Sequence, residues 1–322
     1  MKILIIGGTQ FVGRALVVEL LSRGHEVTLF HRGKTGSDLF PEVESILGDR
    51  DSDLDRLAGR KWDAVVDTCG YYPRQVDASC KALLDSVDRY LFISTISVYA
   101  DRDNNTLSED TGTLHPAMQD ADDLSNETYG PLKVRCEEVV REYFGDRATI
   151  VRPGLIIGPH DHTHRFVYWT VRAEEGGDIL IPDTEEPITG IDVRDLAAFQ
   201  AHLLEQGTPG TFNGDNPGFN WRDLKEVLAN ALGDRGKLIA VPAEFLVENE
   251  IRVWTGLPCW TNGTVGQVPV IKSVAAGLTH RSLAESFRDT QTWAADCGLK
   301  RPLKAGLTSE REQELLDKFQ NS

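Results

Sequence analysis

In its first half the chain alternates short, unbroken apolar runs with longer segments whose apolar residues recur every three or four positions. KILIIGG, HEVTLFHRG, VESILGD, WDAVVDTCG, RYLFISTISVYA and RATIVRPGLIIG carry the short runs. Runs such as AVVD and YLFIS are too short for helices and too uniformly apolar for strands with one wet face, so they predict strands buried on both faces. RALVVELLSRG, LDRLAG, VDASCKALLDSV and YGPLKVRCEEVVREYFG lie between them and predict helices. Such alternation is the pattern of a parallel sheet wound on both faces by helices, a Rossmann-type α/β domain.

From about Gly158 the rhythm gives way to longer loops, broken by the strand-helix unit ITGIDVRDLAAFQAHLLEQ, the helix WRDLKEVLANALG and the strand GKLIAVP. The expected organisation is a dinucleotide-binding domain over residues 1–157, to which 188–207 return. A smaller α+β lobe that takes the substrate is expected over 158–187 and 208–322. Trp169, Trp221, Trp254, Trp260 and Trp293 fall in this second half. Aromatics there serve either to line a substrate cleft or to pack a small lobe.

Charge narrows the partners. With 34 basic and 50 acidic residues the net charge is -16, the opposite of a surface that tracks phosphates, so nucleic acid is not expected. No stretch reaches the ~20 apolar residues of a membrane span, and the run after Met1 and Lys2 is too short for a secretory core. A cytoplasmic protein is expected. Cys69, Cys80, Cys136, Cys259 and Cys297 are odd in number and lack zinc-like spacing, so they read as reduced core thiols.

Four stretches carry chemistry. The first strand ends in GGTQFVG, and glycines at Gly7 and Gly13 before a helix allow backbone N–H groups to approach a pyrophosphate. The acidic residue expected about 20 positions beyond such a turn, to hold a ribose, is replaced by Arg32 between His31 and Lys34. Cations there suit a 2′-phosphate, so NADP(H) is preferred over NAD(H). Tyr129 and Lys133 stand four apart in YGPLK and share a helix face if Tyr129 opens a helix. A nearby ammonium would stabilise the phenolate of a tyrosine whose ordinary pKa is about 10. FISTISVYA runs out of a strand into hydroxyls at Ser94, Thr95, Ser97 and Tyr99, at the strand end where open α/β sheets bind ligands.

Taken in order, GGTQFVG, VVDTCG, STISVYA, YGPLK, RPGLIIGP and IDVRDLA resemble the extended short-chain dehydrogenases/reductases, the NAD-dependent epimerase/dehydratase family. The resemblance fades after about Gly207. It implies that Tyr129 is the general acid/base, that Thr95 hydrogen-bonds the same substrate oxygen, and that Lys133 binds the nicotinamide ribose while depressing the tyrosine's pKa. It further implies a cofactor site formed by Gly7, Thr9, Gln10, Phe11, Val12 and Gly13, with Asp49 and Arg50 near adenine. Thr68, Cys69 and Gly70 would lie near a ribose, and Pro153 and Gly154 beside the nicotinamide. Family turns carry glycine where this chain has Gln10, a substitution shared with the GGT-x-F-x-G branch that includes atypical reductases and chloroplast stem-loop RNA-binding proteins. Gln10 must therefore turn its side chain away from the cofactor or contact it.

Thr95 is followed by Ile96 and Ser97, not by the Asp-Glu pair of sugar-nucleotide 4,6-dehydratases, so dehydration by that route is not expected. The expected activity is NAD(P)-dependent oxidation, reduction or epimerisation at a hydroxyl or carbonyl carbon of a polyhydroxylated or sugar-nucleotide substrate. The alternative is a cofactor-sensing or RNA-binding protein on the same fold. Ser97, His162, His164, Arg165 and Arg252 are candidate substrate contacts. GPHDHTHRF has alternating histidines that suit zinc or nickel, but a polar substrate loop is preferred and no metal is expected. VRCEEVVREYF offers apolar positions either to a homodimer interface or to the interior of the same chain.

Overall fold

The apolar runs of the first half pair in parallel in a computed structural model that describes residues 1–101, 107–266 and 268–321. In chain order the strands are β1 (Lys2–Ile6), β2 (Glu26–His31), β3 (Glu44–Leu47), β4 (Trp62–Asp67), β5 (Val87–Ile93), β6 (Ala148–Pro153), β7 (Leu155–Ile157), β8 (Ile179–Pro182), β9 (Gly190–Asp192), β10 (Gly210–Gly214) and β11 (Leu238–Val241). The chain divides into two compact units, the first comprising Met1–Gly154, Val193–Asp215 and Val268–Thr279.

The first unit is built on a seven-stranded parallel sheet in the order β10-β6-β5-β4-β1-β2-β3. Its helices are α1 (Phe11–Ser22), α2 (Pro73–Leu83), α3 (Tyr129–Phe144), α5 (Val193–Gln206) and α8 (Ile271–Ala275). Leu4, Ile6, Val65 and Phe92 face α2 and α3 in one apolar layer with Val76, Leu83, Cys136 and Phe144. Side chains alternate along a strand, so Ile3 and Ile5, equally buried, face the other way, towards Val17 of α1. Each such buried side chain contributes about 1.5–3 kcal/mol, and burial on both faces is why these strands are continuously apolar. Strand order reverses between β1 and β4, which opens a crevice at their carboxyl ends.

The second unit takes the remaining described residues, with α4 (Val167–Glu175), α6 (Trp221–Leu232), α7 (Ala243–Glu248), α9 (Leu283–Asp296) and α10 (Ser309–Gln320). β8 pairs with β11 and β7 with β9. Trp169, Trp221 and Trp260 are at most 1% exposed, and the rings of Trp169 and Trp221 meet edge to face at 5.5 Å. Packing, not cleft lining, accounts for these three.

Several expected boundaries move. RATIVRPGLIIG divides into β6 and β7 because backbone pairing changes partner: Gly154 N donates to Gly214 O, whereas Leu155 N donates to Thr189 O. Residues 155–157 and 188–192 thus belong to the second unit, not the first. The segment returning to the first unit runs through β10, which hydrogen-bonds to β6. Residues 268–279 return as well, since Ser273 Oγ donates to Asn213 O and Asn213 Nδ2 to Pro269 O. LDRLAG forms only a short 3-10 turn, Leu54–Leu57. All five cysteines are free, but Cys297 is exposed beyond α9 and is not a core thiol. No helix among the described residues is long and apolar enough to cross a membrane.

Candidate active site

At the crevice between β1 and β4, the glycine turn is held by contacts that only glycine permits. Gly7 and Gly8 have φ of 103° and 95°, a region closed to most side chains. A β-carbon on Gly7 would overlap Thr68 Oγ1, and one on Gly13 would lie 2.7 Å from the backbone N and Cα of Gly8. The turn therefore packs directly on α1 and on the loop after β4. Gln10 caps α1 with φ of −129° and ψ of 143°, ordinary extended backbone, and is exposed. Its backbone has no need of glycine. Phe11 follows at φ 33° and is buried, Val12 is half-buried, and Thr9 lies half-buried in the turn.

At the end of β2, Arg32 and Lys34 are exposed, and among the described residues neither has a hydrogen-bond or ion-pair partner. His31 is not a third cation. It is buried, its Nδ1 accepts from Gly33 N at 3.1 Å, its Nε2 meets Ser45 Oγ at 3.3 Å, and burial pushes its pKa down.

Asp49 is half-buried and its Oδ1 accepts from Asp51 N. Arg50 points inward. Its two terminal nitrogens donate to the two carboxylate oxygens of Asp67 at 2.9 and 2.8 Å, and Nη2 also donates to Ser79 Oγ. Its guanidinium is thus spent on a buried ion pair, contrary to a direct role at adenine. Tyr90 donates to the same carboxylate. Burial alone would raise the pKa of Asp67, but Arg50 outweighs it and holds the carboxyl below its ordinary range. Thr68 donates to Ile6 O, Cys69 N donates to Asp67 Oδ1, and Gly70 is buried in the loop that follows β4.

α3 opens at Tyr129, with Pro131 in its first turn, where the missing N–H costs nothing. The phenol-bearing residue is half-buried, and Lys133, one turn on, is 2% exposed. The Lys133 ammonium donates to Gly70 O at 2.8 Å and Ile93 O at 2.7 Å and lies 3.9 Å from the centre of the Phe92 ring. Burial lowers its pKa, while Cys136, Asp67 and Glu137 oppose that shift. Thr95, 8% exposed, accepts from Ser97 N at 3.1 Å and caps the short turn Ile96–Val98, against which α3 packs. A β-carbon on Gly130 would overlap the carbonyl of Ser97, so glycine here lets the start of α3 press against the Thr95–Ser97 turn. Pro153 and Gly154 close β6, Pro153 buried and Gly154 bonded to β10.

Two other hydroxyls of this strand end, those of Ser94 and Tyr99, are structural, whereas Ser97 is half-buried in the turn that Thr95 caps. Ser94 Oγ donates to Glu137 Oε1 at 2.6 Å, and Arg152 grips both oxygens of Glu137, with Nε at 2.9 Å and Nη2 at 2.6 Å. Tyr99 donates to Asn213 Oδ1 and accepts from Arg152. Glu137 and Arg152 escaped the sequence reading. The signal lies in the helix stripe Lys133, Glu137, Val140, Phe144, where a carboxylate one turn after the lysine falls on a face that is apolar beyond it.

His162, His164, Arg165 and Arg252 belong to the second unit. His162 and Arg252 are exposed. His164 Nδ1 accepts from Lys304 N at 3.5 Å, Arg165 donates to Thr163 Oγ1, and His160 meets Trp293 edge-on. Among the described residues no three His, Cys, Asp or Glu side chains are grouped to hold a metal. Four apolar residues of VRCEEVVREYF, Cys136, Val139, Val140 and Phe144, pack inside the first unit.

The architecture is that of a dinucleotide-binding α/β protein of the short-chain dehydrogenase/reductase kind. Residues 3–80 and 74–213 match the model of the NAD dependent epimerase/dehydratase family, and the chain belongs to that family. It is 29% identical over 231 residues to the chloroplast stem-loop binding protein of 41 kDa b of Arabidopsis thaliana, covering 66% of this chain and 58% of that protein. Against the 2′-dehydrokanamycin reductase of Streptomyces kanamyceticus it is 26% identical over 263 residues, 77% of this chain and 71% of that one. The UDP-glucose 4-epimerase of Thermotoga maritima, solved with UDP-glucose, superposes with a TM-score of 0.70 at 18% identity, over 93% of this chain and 100% of that one.

Proposed function

We propose that the protein is an NAD(P)-dependent oxidoreductase or epimerase that transfers hydride at a hydroxyl or carbonyl carbon of a polyhydroxylated or sugar-nucleotide substrate. The observation that carries this reading is the burial of Lys133 one turn after Tyr129, with the glycine cradle of the same unit shaped for a pyrophosphate. Without β-carbons, Gly7 and Gly13 let the turn close on Thr68 and on α1, the tight strand-turn-helix that brings backbone N–H groups to a pyrophosphate, so these residues fit a dinucleotide. When bound, the nicotinamide supplies the hydride donor or acceptor.

The chain's own residues supply the rest. Tyr129 holds or gives up the proton on the substrate oxygen, and Thr95 hydrogen-bonds that oxygen. Lys133 uses two of its three N–H groups on Gly70 and Ile93, which leaves one for a ribose hydroxyl. Its positive charge favours the phenolate of Tyr129. Arg32 and Lys34, exposed and unpaired, favour a 2′-phosphate and hence NADP(H). A small molecule is the expected partner. The absence of an Asp-Glu pair after Thr95 argues against 4,6-dehydration.

The reductase of Streptomyces kanamyceticus and the epimerase of Thermotoga maritima support, respectively, net reduction and redox-neutral inversion. The stem-loop binding relative favours a second reading, an RNA-binding protein on this fold. A net charge of -16 and the intact Thr95, Tyr129 and Lys133 set weigh against it. The test is a screen of carbonyl compounds with NADPH and of UDP-sugars with NAD, run beside Tyr129→Phe. Turnover that falls at least about a hundredfold in Tyr129→Phe supports acid/base catalysis, and turnover unaffected by that substitution would contradict it.

A further inference from the structure

We infer that the buried carboxylates Asp67 and Glu137 are positioning residues that fix the ammonium of Lys133, one turn after Tyr129 on α3, each by pinning one of the two carbonyls to which Lys133 donates. This rests on the proposed acid/base role of Tyr129 and adds to it which residues set the strength of that acid.

The first arm runs through the loop after β4. Asp67 Oδ1 accepts from Cys69 N at 3.1 Å, which fixes the turn that presents Gly70 O to Lys133. Asp67 is itself fixed from three sides: by both terminal nitrogens of Arg50, by Tyr90 OH on β5, and through Arg50 by Ser79 and the Gln75 carbonyl on α2. The second arm runs through the end of β5. Ile93, the other acceptor, is followed by Ser94, whose N donates to Val151 O and whose Oγ donates to Glu137. Glu137 lies one turn beyond Lys133 on α3 and is gripped by Arg152 and Arg141.

Both carboxylates are fully buried. An unpaired charge there would be costly, and each is neutralised by an arginine whose geometry is bidentate. Lys133 thus ties α3 both to the end of β5 and to the loop after β4. Two neutral carbonyls hold it without quenching its charge, so that charge stays available to the phenol of Tyr129. The other groups facing this ammonium are Arg50, Cys69 and Tyr71 from the β3 and β4 loops and Cys136 from α3; His115 lies against Gly130 at the helix start.

The test needs no substrate. Phenolate absorbance is titrated in the protein and in the same protein carrying Tyr129→Phe, and the difference isolates Tyr129 among the seven tyrosines. The pair is repeated in Asp67→Asn and in Ser94→Ala backgrounds, with near-ultraviolet dichroism as the check on folding. Removing a carboxylate by long-range electrostatics alone lowers the pKa of a nearby phenol. Loss of the hold on Lys133 raises it, so the two effects differ in sign. The inference predicts a rise on the order of one pH unit in Asp67→Asn and a smaller rise in Ser94→Ala, where no charge changes. If Asp67→Asn does not fold, Ser94→Ala decides alone. An unchanged or lowered Tyr129 titration in the folded variants overturns the inference. A Tyr129 titration in the parent protein that Lys133→Met leaves unmoved would instead sink the acid/base reading on which it rests.

Discussion

The backbone of Gly130 runs against the carbonyl oxygen of Ser97 with no room for a β-carbon between them. This contact presses the first turn of α3, and with it Tyr129, onto the turn that Thr95 caps. Gly130→Ala must therefore push the helix start away from the strand end. Overpacking of this kind costs about 1–3 kcal/mol. A lower urea midpoint is expected, together with loss of turnover out of proportion to the stability change.

The glycine turn gives a paired prediction. In Gly13→Ala the new methyl meets the Gly8 backbone, so α1 and the turn separate and dinucleotide affinity falls on the order of tenfold or more, equivalent to about 1.4 kcal/mol. Gln10→Gly, which restores the family's middle glycine, changes affinity little, because the backbone there is already extended. Its effect on helix capping is about a few tenths of a kcal/mol. Calorimetric titration of both variants checks the contrast.

The Arg50–Asp67 pair predicts non-additive stability. Arg50→Met leaves a buried carboxylate without its cation and costs about 3–5 kcal/mol, whereas Arg50→Met/Asp67→Leu recovers much of that loss. Denaturant unfolding of the two single variants and the double variant measures the coupling.

Acid lability follows from the same carboxylates. Asp67 and Glu137 are pulled by Arg50 and Arg152 below their ordinary values of 3.8 and 4.5, despite burial. Because the folded state binds these protons less readily than the unfolded one, the stabilisation is fully present above the ordinary values. It is lost as pH falls below them towards the lower folded values. Thermal midpoints should therefore drop steeply on acidification below about pH 4, and less steeply in Glu137→Gln.

The sheet was readable because burial on both faces leaves continuous apolar runs, and α3 because Tyr129 and Pro131 mark its start. What the sequence hid depends on contacts distant along the chain. Arg50 reads as a loop cation until the fold brings Asp67 to meet it 17 residues on. His31 reads as a cation until the fold buries it, which pushes its pKa down, and turns its Nδ1 to accept from Gly33 N. Gly130 has no local motif, since its reason is the Ser97 carbonyl. The break between β6 and β7 is likewise invisible in RPGLIIG, because it is set by the partner strands and not by the residues themselves.

Whether this chain works with a nicotinamide dinucleotide is tested most directly by calorimetric titration with NADP(H) and NAD(H), after acid release of any carried-over cofactor. Saturable binding is predicted, tighter for NADPH. Arg32→Ala should weaken NADPH on the order of tenfold, the worth of a charge-assisted contact to a phosphate, while leaving NADH unchanged. Binding of neither dinucleotide, with no cofactor released by acid, would contradict the account.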